Sequence, residues 1–455
     1  VTVIWWARRD LRLADNPALQ AAAASGDVLA LFVLDPQLLR SAARPRDAWL
    51  AANVLDLDQQ LDGRLSLCSG APEKILVELA ERSGATEVHV ARETTPFGRR
   101  RDTSVSAALA KIGVDWIETG SPYAVTPGRI TKSDGSAYRV FTAFERAWRE
   151  HHWPRPAQLK TSPSWVKPPK PAQSGPARSL LTELTQSCSI TLPPAGEGAA
   201  RAQWEHFLTR ELTGYAVGRD RADMDATSRI STYLKVGAIH PRTLLADLAA
   251  IAGQDAAKFM SELAWRDFYA DVLYHQPHSA RADLTDALAH LTYTEPGEGF
   301  TAWQRGETGY PLVDAGMRQL LAEGWMHNRV RMVTASFLTK DLHIWWPHGA
   351  RHFMNHLIDA DSASNTHGWQ WVAGTGTDAA PYFRVFNPTA QAQKFDPNGE
   401  YIRKYIPELR HLPGASAITP WKHPAGHTRG YPAPILDHAE ERNIALHRYR
   451  SRQDH

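Results

Sequence analysis

Between Val3 and Glu118 the sequence switches repeatedly between two hydrophobic patterns. Short apolar runs fall at Val3–Trp6, Val28–Leu34, Leu65–Cys68, Val88–Ala91 and Asp115–Glu118. Stretches of helical spacing separate them, at Asn16–Ala24, Asp47–Leu61, Pro72–Arg82 and Asp102–Ile112. Strands joined through helices must run parallel, because a crossover returns the chain to the edge it started from. The expectation is therefore an amino-terminal doubly wound, five-stranded parallel sheet of the α/β, Rossmann-like kind. Ligands of such sheets lie at the carboxyl ends of the strands. No GxGxxG follows the first strand, which argues against a dinucleotide on that fingerprint. The first strand runs instead into Arg8-Arg9-Asp10-Leu11-Arg12, which suits an ordinary polar loop or a site for a small anionic or polyhydroxylated ligand. Arg99-Arg100-Arg101, after Pro96-Phe97-Gly98, reads as a helix start facing solvent.

The segment Pro154–Pro194 is rich in Pro, Ser and Lys and reads as a long linker without periodic structure. Helical spacing dominates beyond it, at Arg201–Leu212, Pro241–Ile251, Ala256–Tyr274, Pro311–Leu321 and Asn328–Leu338, with no fixed-period repeat. The reading is three parts: an α/β domain over 1–130, a linker over 131–199 and an all-α domain over 200–455. That last part is large enough to enclose a cofactor. A formal net charge of +2 on 455 residues gives no bulk field, so any nucleic-acid surface must be a local patch. The 2 cysteines, Cys68 and Cys188, rule out a disulfide framework and a cysteine-based metal site, and no metal is expected. With no signal-like start and no apolar run near the ~20 residues a membrane helix needs, a cytoplasmic protein without a membrane span is expected.

The densest chemistry lies in His356–Phe386. Two acids (Asp359, Asp361), an amide (Asn365) and two tryptophans (Trp369, Trp371) crowd together there, ahead of Gly374 and Gly376. Side chains two apart on a helix point to nearly opposite sides, so one ring can line a cavity while the other packs away from it. Trp345-Trp346 form a second pair in a chain with 16 Trp. Core packing and a redox or stacking surface would both produce this composition. On other helices Glu262, Trp265 and Arg266 share one face, and Asn328 and Met332 lie one turn apart.

Together these motifs resemble one family, the photolyase/cryptochrome flavoproteins, and within it the class I cyclobutane pyrimidine dimer photolyases. The likeness is carried by Trp6–Leu19 (WARRDLRLADNPAL), Thr227–Leu234 (TSRISTYL), Glu262–Tyr269 (ELAWRDFY), Gly309–Arg318 (GYPLVDAGMR), Trp325–Met332 (WMHNRVRM) and Asp359–Pro388, and it covers almost the whole chain. The resemblance implies FAD in the helical domain. Tyr215 and Thr227, Ser228, Arg229, Ile230 and Ser231 match positions around its phosphates and ribityl chain. Asp359, Ala360 and Asp361 match the loop beside the flavin, Arg331 the partner of the first of these acids, and Asn365 the residue facing flavin N5. Phe259 stands where many relatives carry Trp.

The resemblance also implies UV-damaged DNA as partner, with a flipped pyrimidine dimer as substrate. Trp265 and Trp371 match the rings that wedge the dimer, and Glu262 the acid that hydrogen-bonds it. Asn328 and Met332 match further pocket contacts, and Arg219, Arg266 and Arg329 phosphate-side positions. The (6-4) photolyases carry His where Asn328 stands, so the pattern favours the cyclobutane dimer. Trp369 and Trp346 match the first two members of the electron chain that reduces the flavin in light. Tyr293 stands where the terminal Trp is usual, so photoreduction is expected through Tyr293 or a nearby substitute such as Trp303. In the antenna region Arg9, Asp102 and Lys235 resemble the 8-hydroxy-5-deazaflavin type more than the methenyltetrahydrofolate type. The function so implied is light-driven dimer repair by a monomer without an obligate protein partner. The alternative is a cryptochrome-like blue-light photoreceptor; the repair-type pocket residues weigh against it.

Overall fold

Five strands form one all-parallel sheet: β1 (Thr2–Trp6), β2 (Asp27–Leu34), β3 (Ser66–Ser69), β4 (Glu87–Val90) and β5 (Asp115–Glu118). Their order is β3-β2-β1-β4-β5, which is the doubly wound arrangement that the alternating pattern predicts. The structure is a computed structural model and describes residues 1–39, 44–159, 162–167, 169, 174–377 and 384–450. Central strands β1 and β2 are buried on both faces, and this is why they read as unbroken apolar runs rather than alternating ones. Ile4 pairs with Leu29 and Trp6 with Leu31 in a register that feeds one core, shared with Val88 and Val90 of β4. Asn16 starts the first crossover helix, Pro17–Ser25, by accepting the Leu19 N–H at 3.1 Å, with Pro17 in the first turn.

Contacts divide the chain into two compact units, 1–213 with 228–277, and 214–227 with 278–455. The division departs from the predicted boundary at 199/200. The helices Gly196–Arg210, Ser231–Val236, Pro241–Ala249 and Gln254–His275 belong to the unit that holds the sheet. Buried polar bonds inside that unit explain the grouping. Asp267, on the long helix Gln254–His275, accepts the Val125 N–H and the Trp148 indole N–H, both at 3.0 Å. Burial pushes its carboxyl up to about 6, against the nearby Arg266 charge and these donors. Trp49 donates to the Thr232 carbonyl at 3.0 Å, and Arg242 pairs with buried Asp15 at 2.6 Å.

The predicted linker is not free of periodic structure. Helix Ser174–Gln186 lies within Pro154–Pro194, and helix Phe141–His151 lies within the wider bounds 131–199. Residues around Trp165 dock in parallel on the start of β2, where Val28 N–H bonds the Ser164 carbonyl at 2.7 Å and Val166 N–H the Val28 carbonyl at 2.9 Å. The flanking prolines obscured both features in the pattern.

The second unit is helical. Its core gathers Trp303, Met317, Phe337, Trp346, Phe353 and Trp369 among other buried side chains. Its principal helices are Pro311–Glu323, Asn328–Ser336, Trp346–His356 and Ser362–Ala373, with a π-type turn at Phe337–Asp341. Among the described residues no helix is long and apolar enough to cross a membrane, and no His/Cys/Asp/Glu group has a metal-binding arrangement.

Candidate active site

In the sheet-bearing unit, the long helix Gln254–His275 presents Glu262 and Trp265 from partly buried positions. Trp265 is stacked on Phe141, with ring centroids 3.7 Å apart and planes 9° from parallel. The indole is thereby held at a fixed tilt before any ligand arrives. Lys258, one turn earlier, lies 3.4 Å from Glu262. Arg266 is placed otherwise than the resemblance implied. Its Nη1 donates to the Pro122 carbonyl at 2.8 Å and its Nη2 to the Leu234 carbonyl at 3.4 Å. The guanidinium covers the Tyr123 ring, and the side chain is only 12 % exposed. Arg266 ties a loop to a helix, and its charge is directed inward.

The Thr227–Ser231 motif contains an unusual backbone. Arg229 adopts φ +49°, a left-handed conformation that costs a side-chain-bearing residue about 1 kcal/mol or more. It is held by its surroundings: Gln203 donates to the Ser228 carbonyl at 3.0 Å, and Thr232 to the Arg229 carbonyl at 3.1 Å. The left-handed Arg229 is followed by the right-handed Ile230, whose N–H donates to the Ser228 hydroxyl at 3.3 Å, so the turn gathers backbone and hydroxyl groups of the kind that bind anions. Phe259 is buried, its ring 5.2 Å from Trp204 and 5.0 Å from Phe207, which identifies it as a packing aromatic.

At the carboxyl end of β1, Arg8 is buried with Nη1 2.6 Å from Asp102 Oδ1, its guanidinium against the rings of Trp6 and Trp116. Arg101 also donates to Asp102, at 2.8 Å. Asp102, expected to face an antenna, is thus clasped by two arginines. Arg9 lies by the Tyr123 ring. Gly237, at φ +74°, packs so closely on the Arg9 main chain that a Cβ would come within 1.9 Å of the Arg9 carbonyl oxygen. Lys235 lies two residues earlier in the same helix end, Ser231–Val236. A separate cleft of about 890 Å³, lined by Leu13, Asp56, Gln60, Glu197 and Arg201 among others, contains none of the predicted site residues.

In the helical unit, Arg331 Nη2 pairs with Asp359 Oδ2 at 2.8 Å while its Nε donates to the Met326 carbonyl at 2.8 Å. The pairing expected for these two residues is present. Asp361 caps Ser362–Ala373, accepting the N–H groups of Ala363 and Ser364 at 3.1 and 3.0 Å. This cap explains why an acid stands there, and it fixes where Asn365 falls on the first turn. Asn365 Nδ2 donates to the Ala350 carbonyl at 3.0 Å, which orients its side-chain oxygen away from that strut. Ala360 is buried between the two acids. Tyr215 is buried in the short turn Tyr215–Gly218, with Arg219 over its ring; Thr227, partly buried, ends that segment.

Asn328 is exposed at the start of its helix, and Arg329 points toward Met332 Sδ, 3.7 Å away. Arg329 also pairs with Asp220 at 2.9 Å. The two tryptophans differ in burial: Trp369 is buried in the helical core, whereas Trp371, partly covered, packs against the edge of the same core. Trp346 is buried too, and its indole N–H donates to Asp283 Oδ1 at 2.6 Å. Sequence reasoning missed Asp283, Asp220 and Phe141. An isolated acid in RADLTDA carries no motif, and Phe141 reveals its role only through a partner far away in the chain.

Residues 3–164 match the family model for DNA photolyase, and residues 259–451 that for the FAD binding domain of DNA photolyase. The chain belongs to the DNA photolyase family. It is 38% identical to a deoxyribodipyrimidine photo-lyase of Alkalihalophilus pseudofirmus, over 97% of this chain and 96% of the relative. A bacterial class III photolyase from Agrobacterium tumefaciens superposes with TM-score 0.89 at 34% identity, covering 100% of this chain and 98% of the other. An archaeal photolyase from Sulfolobus tokodaii, solved with two FAD molecules, superposes with TM-score 0.86 at 28% identity, covering 99% and 100% of the two chains. The donor chemistry fits FAD: N–H groups and hydroxyls around the strained Arg229 turn suit a pyrophosphate, and the Arg331–Asp359 pair with the Asn365 amide suits the polar edge of a flavin ring.

Proposed function

We propose that this chain is a light-driven DNA repair lyase that splits cyclobutane pyrimidine dimers with FAD as cofactor. Reduced FAD, when bound and excited by light, supplies one electron to the dimer and receives it back. The remaining work falls to the chain's own residues, in line with the usual division between cofactor and protein. Ser228, Arg229, Ile230 and Ser231 with Tyr215 and Thr227 hold the phosphates and ribityl chain. Arg331 orients Asp359 through their ion pair, and Asn365 offers an uncharged amide to the ring, so that position adds no further negative charge beside the flavin. Flipping the dimer out of the duplex costs a few kcal/mol, less for a badly stacked lesion. Stacking on Trp265 and Trp371, worth about 1–3 kcal/mol per base, offsets it. Glu262 of the sheet-bearing unit hydrogen-bonds the dimer, and Asn328 and Met332 of the helical unit are further contacts for it. Arg219 and Arg329 take the flanking phosphates, positioning the strand without reading its sequence.

The observation that carries this reading is the near full-length likeness to deoxyribodipyrimidine photo-lyases, together with the Arg331–Asp359 pair and the prestacked Trp265. The antenna is proposed to be an 8-hydroxy-5-deazaflavin near Arg9 and Lys235, and the protein to act as a cytoplasmic monomer. An absorbance band of the purified protein at the deazaflavin position supports that antenna; a spectrum of flavin alone removes it. Illumination with a dimer-containing oligonucleotide under reducing conditions tests the function. Light-dependent return of the two thymines is expected, and dimers persisting in the light would overturn the reading.

A further inference from the structure

The route by which electrons reach the flavin has an unassigned ring in it. The helix Trp346–His356 is pressed against Trp369: a Cβ on Gly349 would come within 2.1 Å of the Trp369 ring. Trp346 stands one turn before that contact, buried. Trp345, partly exposed, has its ring centroid 6.4 Å from that of Trp346 and 6.3 Å from that of Tyr293. Among the described residues, Trp345 is the only aromatic ring in contact with Tyr293. One carboxylate oxygen, Asp283 Oδ1, faces both indoles, 2.6 Å from Trp346 Nε1 and 3.5 Å from Trp345 Nε1.

We propose that Trp345 is an electron relay between Tyr293 and Trp346, held in place by Asp283, whose negative charge stabilises an electron vacancy on either indole. The proposal deepens the photolyase reading and rests on it. Trp346, having lost one electron inward, takes one from Trp345 and is restored. Trp345, now a radical cation, takes one electron from Tyr293. The phenol proton passes to water, which reaches the partly exposed ring, and a neutral tyrosyl radical remains. A thiol in solution returns one electron and one proton to the tyrosyl, and two thiyl radicals pair as a disulfide. Burial and the Asp283 charge push the Tyr293 phenol up to about 12, so it stays protonated at rest and gives up its proton only on oxidation. Trp345 spans the interval that a terminal tyrosine would otherwise have to cross alone.

The test uses the FAD-loaded protein and reads radicals rather than repair. After a light flash, the wild type is expected to show a tryptophanyl absorption that converts to a tyrosyl one. Trp345→Phe should slow that conversion about tenfold or more, equivalent to about 1.4 kcal/mol of barrier. Trp345→Tyr, which keeps an oxidisable ring, should recover most of the rate, and Tyr293→Phe should abolish the tyrosyl signal. One-electron oxidation of the same proteins by azidyl radicals, which needs no photochemistry at the cofactor, should give the same ranking. A tyrosyl signal as fast in Trp345→Phe as in wild type overturns the relay alone. A wild type that forms no tryptophanyl radical after the flash overturns the photochemical reading and the relay with it.

Discussion

Two tryptophan groups share the helical core with Trp369, and their surroundings differ in charge. On one side Trp303 lies 6.1 Å from Trp369, nearly edge-on, and is fully buried. Its indole N–H donates to a neutral acceptor, the Thr334 carbonyl at 3.0 Å. Its other ring neighbours are Phe300, His352 and Phe353, the last of which also packs on Trp369 at 5.0 Å. Phenylalanine is far harder to oxidise than tryptophan. His352 is kept neutral by burial, with a smaller push from the His356 charge, its pKa lowered to about 3. On the other side Trp346 and Trp345 share the Asp283 carboxylate and lead to partly exposed Tyr293. Ring distance alone would recommend Trp303. On the proposed reading the surrounding charge favours Trp346, because a hole is stabilised by a nearby anion more than by a neutral carbonyl.

The contrast can be broken from its strong side first. Trp346→Phe should reduce light-driven reduction of the bound flavin by ~100-fold, equal to about 2.7 kcal/mol of barrier, in steady-state photoreduction with a thiol donor. A rate close to wild type would move the route to Trp303. Next comes the contact that seats Trp369. The Cβ of Gly349→Ala would lie 2.1 Å from Trp369 Cη2 and 2.5 Å from a Leu338 methyl, neither free to retreat within the core. Overpacking of this kind costs about 1–3 kcal/mol, which denaturant unfolding would read. Undiminished stability would show the helix–helix contact to be looser than described.

The neutrality of the Trp303 side has its own pH signature. Folded His352 resists protonation until about 3, whereas its unfolded counterpart protonates at 6.5. Between those values the unfolded chain binds the extra proton, so stability is complete above 6.5 and declines as pH falls through this window. His352→Gln should make the acid slope shallower by up to about 1.4 kcal/mol per pH unit, measured by urea unfolding at neutral and mildly acidic pH. An unchanged slope would mean that His352 titrates normally and that the Trp303 side can carry charge. The smallest effect belongs to Trp303→Phe, which should leave the photoreduction rate within about twofold of wild type even if it lowers stability.

The legibility of the molecule in its sequence follows the range of the interactions. The parallel sheet could be read because its central strands advertise their burial locally, as Val28–Leu34 does, while the partly exposed edge strand β5 was placed by the alternation with helices. The Asp361 cap is equally local, two residues ahead of the Ala363 N–H it accepts, but the acid could be read only through the family motif. The helix Ser174–Gln186 was hidden by its proline-rich flanks. Asp283 and Phe141 were invisible because their roles come from partners remote in sequence, Trp346 and Trp265. Arg266 shows the converse failure: its place in a motif suggested a phosphate, but long-range carbonyl partners at Pro122 and Leu234 draw it inward.

The central claim is repair, and it separates from the route of photoreduction if the flavin is reduced chemically beforehand. A single light flash given to that protein, bound to an oligonucleotide with one cyclobutane dimer, should return thymines in the wild type, and equally in Trp346→Phe and Trp303→Phe. Thymine recovery absent from the wild type, with the flavin bound and reduced, would contradict the account.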